Sequence, residues 1–496
     1  MTNSSKHTNP RPGSAPRKPS GTHPDGSRFR GPAGDRKSPV QKSGDLPGLP
    51  ARRIALRILR QVTEEGAWAS LSLDAALADS GLSALDRRLV SRLVYDTLDQ
   101  MTYLDWALSQ VMARPDTDIR LRNILRLGAC QILLEDRIPE SAATNTSVQL
   151  CSETGIEGLK GVCNGILRNL IRRKELLLPD RNDHSDSNLL LLSGLPSWLY
   201  ERLKDEYGKE AILSLISGKR QEEGWIIRTN LLKMTDSDLE ERLKHKVWHW
   251  ERGTLPHTYH ITGAMNIGQD TDFLSGHFSI QTAGSIMTGL AMAPGRGETI
   301  LDCCAAPGGK SCLMAELMGG TGRVQAWDLH EHRVNLITAQ VRRLGLENVR
   351  PMTRDATKSR PDLTAGMDGV LIDAPCTGTG MIMEKPDMKG RLTENGLNDL
   401  CALQQELLET VSGYVRPGGR LVYSTCSVLK EENSMQVTAF LKRHPEFEPA
   451  PLPDSIPEPY RQAAMKDEEG IGLQLLPWTT HTEGFYLCRL NRKSDR

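Results

Sequence analysis

From Gly276 onward, short apolar runs alternate with helical stretches, and most of the runs end in an acid: Thr299-Ile300-Leu301-Asp302, Val324-Gln325-Ala326-Trp327-Asp328 and Gly369-Val370-Leu371-Ile372-Asp373, with Arg420-Leu421-Val422-Tyr423 after them. Apolar strands separated by helices pair in parallel through crossovers and need cover on both faces. The pattern predicts an α/β domain with a mostly parallel sheet and helices on both sides. Ligands of such sheets bind at the carboxyl ends of the strands, where these acids lie.

The rest of the chain divides by composition. Residues 1–50 are rich in Ser, Pro and Gly and carry nine Lys/Arg against three Asp; such a segment buries too little apolar surface to order itself and is expected to be a disordered basic tail. Over residues 51–176 apolar residues recur at helical spacing, as in Ile54-Ala55-Ile58-Leu59-Val62, and Ser83 stands as a cap before Ala84-Leu85-Asp86. This predicts an all-helical domain. Its last helix, Val162 to Lys174, carries Arg168, Arg172, Arg173 and Lys174 beside Lys160, either a solvated face or an RNA contact. Residues 177–275 are read as a polar linker and a small α+β segment, and residues 276–492 as the α/β domain.

The 62 basic and 62 acidic residues cancel, so any nucleic-acid footprint must be local. No stretch is long and apolar enough for a signal peptide or a membrane span, which predicts a cytoplasmic protein. Ten cysteines without a CxxC pair point to neither a disulfide framework nor a metal site.

Two of those cysteines stand apart. Asp373-Ala374-Pro375-Cys376 and Ser424-Thr425-Cys426-Ser427 each place a thiol just beyond a buried strand, so the two should meet across one cleft. The loop Cys304-Ala305-Ala306-Pro307-Gly308-Gly309-Lys310-Ser311 follows a strand and opens a helix. It invites comparison with a phosphate-binding P-loop, but Cys304 replaces the first glycine and Pro307 removes an N–H donor. The alternative is a loop under an adenosine cofactor, with Asp328 accepting from ribose hydroxyls and Asp355 from the adenine amino group.

These motifs, together with Tyr423-Ser424-Thr425-Cys426-Ser427-Val428-Leu429-Lys430-Glu431-Glu432-Asn433, resemble the RNA (cytosine-5)-methyltransferases. The helical half, with Asp86-Arg87-Arg88-Leu89-Val90 and Asn164-Gly165-Ile166-Leu167-Arg168, resembles the NusB-like RNA-binding domain of RsmB-type members. The resemblance implies a Rossmann-like catalytic domain, 16S rRNA as substrate, and S-adenosylmethionine held by Cys304, Ala305, Ala306, Pro307, Gly308, Gly309, Lys310, Asp328, Asp355 and Asp373; a monomer is expected. It also implies Cys426 as nucleophile and Cys376 as the residue for product release; Asp373 shares a strand end with Cys376 and should face the same cleft, where, if protonated, it is expected to contact the target base. Chemistry agrees: C5 of cytosine is a poor nucleophile until a thiolate adds at C6. A P-loop NTPase and a catalytically idle RNA-binding protein are the rival readings.

Overall fold

The computed structural model describes residues 46–494, apart from Asp79, Pro115, 219–223, 265–266, Ala464, 467–470 and His481; residues 1–45 of the expected tail lie outside it. Helices α1 (Leu49–Glu65), α2 (Ala69–Ala78), α3 (Ala84–Asp99), α4 (Met101–Ser109), α5 (Ile119–Leu133), α6 (Glu140–Glu153) and α7 (Lys160–Arg172) surround one apolar core. Ser83 caps α3 as its position suggests, accepting from the Asp86 N–H at 3.1 Å. The tail, read as reaching Pro50, gives way to helix at Leu49. Proline is tolerated in a first turn, whose N–H groups lack helical partners, and Leu49 is buried. On α7, Cys163, Leu167 and Leu170 face the core while Arg168 and Arg172 are exposed.

After α8 (Lys174–Leu177), helices α9 (Asp186–Ser193) and α10 (Ser197–Ser217) share a core with Ile382, Leu397, Val428 and Leu429. The connecting stretch is thus packed against the loops beyond the candidate cysteines. A small antiparallel sheet follows, ordered β2-β3-β1-β4, from β1 (Gly224–Thr229), β2 (His249–Arg252), β3 (Thr258–Thr262) and β4 (Phe278–Ile280). Helices α11 (Asp236–Lys244) and α12 (Thr271–Leu274) accompany it. Its last strand lies beyond the boundary drawn at residue 276, because Phe278–Ile280 pairs with Ile227–Thr229, a non-local partnership that no local pattern announces. The buried Arg228 of β1 joins this sheet to Glu316 through bonds of 2.5 and 3.1 Å.

The large sheet has the predicted parallel centre. Strands β5 (Thr299–Asp302), β6 (Arg323–Asp328), β7 (Val349–Thr353), β8 (Met367–Asp373) and β9 (Val415–Thr425) run in the order β7-β6-β5-β8-β9. Neighbouring residues along each strand face opposite ways. Ile300, Val324, Leu371 and Val422 pack with α13 (Ala283–Met292), α14 (Gly309–Leu317) and α15 (Glu331–Leu344). Leu301, Trp327, Val370 and Tyr423 pack with α16 (Glu394–Ser412) and α17 (Ser434–Arg443) on the other face. Strands β10 (Phe447–Pro449), β11 (Met465–Lys466), β12 (Leu473–Leu475) and β13 (Phe485–Arg492) add an antiparallel edge beside β9.

One short segment of the α/β domain, Pro386–Arg391, is seated in the helical part. Asp387 accepts from Ala69 N at 3.1 Å, and Lys389 Nζ donates to Asp99 at 2.8 Å and to the Ser193 carbonyl at 2.9 Å. Arg391 lies over the Trp68 ring. Among the described residues no helix is long and apolar enough to cross a membrane.

Candidate active site

Parallel pairing of β8 with β9 puts Asp373 level with Ser424, and each chain then turns out of the sheet carrying a cysteine. The two turns bring Cys376 Sγ and Cys426 Sγ to 3.4 Å. Both thiols are partly exposed, whereas Cys130, Cys151, Cys163, Cys303, Cys312 and Cys488 are buried.

The environment makes the pair unequal. The hydrogen bond from Cys376 draws the Cys426 thiol below its ordinary value; burial and Asp373 oppose this, and Lys310 and Lys385 assist it. The same contact, with burial and the charges of Cys426 and Glu432, pushes Cys376 well above the usual thiol range. Asp373 accepts from Lys310 Nζ at 2.6 Å and from Ser424 Oγ at 2.8 Å. Burial works to lower the Lys310 ammonium, but Asp373 carries it above its normal value. Lys310, first read with the glycine loop, thus has its cationic end on Asp373, from where its charge reaches Cys426.

The loop itself is tightly built. Ala305 N donates to Trp327 O at 2.7 Å and Gly308 N to Ala305 O at 2.8 Å. Gly308 has φ 106°, and a Cβ there would sit 3.2 Å from the Ile337 backbone, so the position excludes side chains. Cys304, Ala306, Gly309 and Lys310 are partly exposed, Pro307 is exposed, and Ala305 and Gly308 are buried.

Carboxylates line the strand ends beside it. Asp328 is buried and accepts from His330 N at 3.2 Å. Asp355, two residues beyond β7, accepts from Thr357 N and Oγ1 at 3.0 and 2.7 Å. This row of acceptors, with Asp373 at its end, fits a ligand bearing hydroxyl and amino donors and a positive centre. It does not fit a polyphosphate, whose negative charge this row of carboxylates would repel. Among the described residues no group of three or more His, Cys, Asp or Glu is arranged to hold a metal.

The family description "16S rRNA methyltransferase RsmB/F" matches residues 289–491, and the NusB family matches residues 49–172. A probable ribosomal RNA small subunit methyltransferase B of Bacillus subtilis is 33% identical over 450 residues, which cover 89% of this chain and 98% of that protein. The chain belongs to the RsmB/F family of 16S rRNA methyltransferases. A second RsmB/F relative, again a probable methyltransferase B, from Synechocystis, is 32% identical over 452 residues, covering 90% of this chain and all of its own. The crystal structure of a protein termed PH0851 superposes with a TM-score of 0.75 at 27% identity, covering 90% of this chain and 99% of that one.

Two acids of this RsmB/F chain escaped the sequence reading as site residues. Asp302, fully buried at the end of β5, takes a 2.5 Å bond from Ser311 Oγ, while its second oxygen has no hydrogen-bond partner among the described residues; burial lifts its carboxyl to about 7. Glu432, also fully buried, lies in the motif after Cys426 and bonds to the loop of Cys376. Its position in Lys430-Glu431-Glu432-Asn433 was visible, but charged runs usually mark a solvated surface.

Proposed function

We propose that this protein transfers a methyl group from S-adenosylmethionine to C5 of a cytosine in 16S rRNA through a covalent bond between Cys426 and C6. The observation that carries the reading is the pair of thiols 3.4 Å apart at adjoining strand ends, one biased toward thiolate and the other toward thiol. When bound, S-adenosylmethionine supplies an electrophilic methyl group; Cys304 to Gly309, Asp328 and Asp355 provide the acceptors and close backbone that would hold it.

The Cys426 thiolate adds to C6, which turns C5 into an enamine-like nucleophile. Asp373, paired with Lys310, faces the base and orients it. After C5 has taken the methyl group, its proton must leave so that the C5–C6 double bond reforms and the Cys426 sulfur departs as thiolate. A water oriented by Cys376, which as a thiol cannot itself take up a proton, is placed to receive it. The cytosine must be unstacked to reach the site, at a cost of a few kcal/mol. The helical residues 51–176, with Arg168 and Arg172 exposed on α7, are proposed to supply the RNA contacts that offset this cost.

The test uses rRNA lacking the modification and methyl-labelled cofactor. Wild type should label cytosine C5, Cys426→Ala should not, and Cys376→Ala should accumulate a protein–RNA adduct that survives denaturation. Methyl transfer by Cys426→Ala at the wild-type rate would overturn the covalent mechanism.

A further inference from the structure

Glu432 is fully buried, and among the described residues no Lys, Arg or His lies within ion-pair distance of it. A buried carboxylate held by neutral donors alone is costly, so the bonds it makes are informative. Its Oε1 accepts from Thr377 N at 2.8 Å and from Gln404 Nε2 at 3.0 Å, and its Oε2 accepts from Thr377 Oγ1 at 2.5 Å. The same Gln404 Nε2 donates to Pro375 O at 2.9 Å.

Those partners are the residues on either side of Cys376. Thr377 N belongs to the peptide plane after the cysteine, and Pro375 O to the plane before it. Glu432 holds the first directly and the second through Gln404, so both rotations that aim the Cys376 side chain are fixed from one carboxylate. Glu432 itself belongs to the loop of Cys426, whose path is tied down by Tyr423 OH donating to Glu432 O at 2.6 Å. Thr379 Oγ1 and Ser427 Oγ, 2.9 Å apart, link the two loops a second time.

We propose that Glu432 is the positioning residue of the site: it locks the Cys376 loop to the Cys426 loop, and so sets the distance at which the two thiols divide the chemistry between them. The inference rests on the methyltransferase reading above for its catalytic meaning, although the geometric lock stands without it. The negative charge of Glu432 adds to the bias that keeps Cys376 a thiol.

Two near-isosteric changes separate position from charge. Glu432→Gln keeps an acceptor at the Thr377 N–H and a donor for the Thr377 hydroxyl but removes the charge. Glu432→Asp keeps the charge but withdraws the carboxylate from Thr377. The readout is the rate at which diamide, which takes up the two thiol hydrogens, oxidises the Cys376–Cys426 pair in the full-length protein, followed by peptide mapping. Glu432→Gln should react within about threefold of wild type, and Glu432→Asp at least about tenfold more slowly, the equivalent of losing roughly 1.4 kcal/mol of loop-holding hydrogen bonds. Gln404→Leu, which cuts the link to Pro375, should fall between them and serves if Glu432→Asp does not fold. Cross-linking by Glu432→Asp or Gln404→Leu at the wild-type rate, or a slow Glu432→Gln, overturns the proposal. If cross-linking follows this order while wild type methylates no cytosine, the functional reading fails and the lock remains. If both hold, Glu432→Asp should accumulate the same denaturation-resistant adduct as Cys376→Ala, and Glu432→Gln should not.

Discussion

Replacing Cys376 with alanine should make Cys426 a poorer nucleophile, although no atom of Cys426 changes. The two sulfurs stand 3.4 Å apart, and with Cys376 as donor the contact stabilises Cys426 as thiolate. A hydrogen bond to a charged acceptor contributes about 1.5–3 kcal/mol, and a weak S–H donor belongs at the lower end of that range. At 1.4 kcal/mol per decade this is about a tenfold loss of thiolate at neutral pH. Lys310 and Lys385 remain and still favour the thiolate, which limits the loss. Alkylation by iodoacetamide proceeds through the thiolate, so the rate at Cys426, followed by peptide mapping across a pH series, reports the effect. The direction follows from the lowered value in the wild type: its thiolate persists to lower pH, so the ratio between the proteins should be largest below both ionisations. The difference should close at high pH, where both are ionised. A purely steric effect would keep the same ratio at every pH. Cys376→Ser, which keeps a donor, should recover most of the rate. If Cys376→Ala is alkylated like wild type at pH 7, the hydrogen bond does not set the Cys426 thiolate.

Other perturbations test the framework around the pair. Arg228→Met leaves Glu316 buried without its partner and should cost about 3–5 kcal/mol in urea unfolding, while Arg228→Met with Glu316→Leu should recover most of it; equal losses in both would refute the pairing argument. Asp302 titrates near 7 in the fold, above its ordinary range, so the native state holds a proton that the unfolded chain has released. Stability should therefore fall as pH rises from about 4 to about 7, by up to roughly 1.4 kcal/mol per unit. Asp302→Asn cannot ionise, and its unfolding midpoint should gain on wild type across that window; parallel profiles would exclude a perturbed Asp302. Lys389→Met removes the bonds to Asp99 and Ser193, on the order of 1–3 kcal/mol, and should speed proteolytic cleavage within residues 381–393 before global unfolding; unchanged cleavage would show that the segment is held by other contacts.

What the sequence disclosed was whatever chemistry repeats locally. Apolar runs closed by Asp302, Asp328 and Asp373 gave the parallel sheet, since a strand buried on both faces leaves no other pattern. Cys376 and Cys426 followed from their places after β8 and β9. What stayed hidden depends on partners far away in the chain. β4 reads like the start of the α/β domain, yet its hydrogen bonds go to β1. The antiparallel edge depends on β13 finding β9, and Pro386–Arg391 looks like an ordinary polar loop until Asp99 and Ser193 lie beside it. Glu432 was masked for a related reason: buried carboxylates are rare, and only the two peptide planes around Cys376 account for this one.

The seating of Pro386–Arg391 also bears on how the protein is made. Its contacts join residues 318 and 290 positions apart, Ala69 with Asp387 and Asp99 with Lys389. Domains fold as units as the ribosome delivers them, N-terminal first, so the helical part stands complete before this segment emerges. The receptor waits for its ligand within one chain. Strand β9 waits longer still, because Thr425 pairs with Tyr486, far downstream of it. The environment of Cys426 should therefore mature only after β13 has been made, and a chain ending before Phe485 should show Cys426 alkylated at the rate of an ordinary thiol. On the mechanism proposed above, a growing chain would then be kept from attacking the RNA around it by nothing more than the order in which its parts arrive.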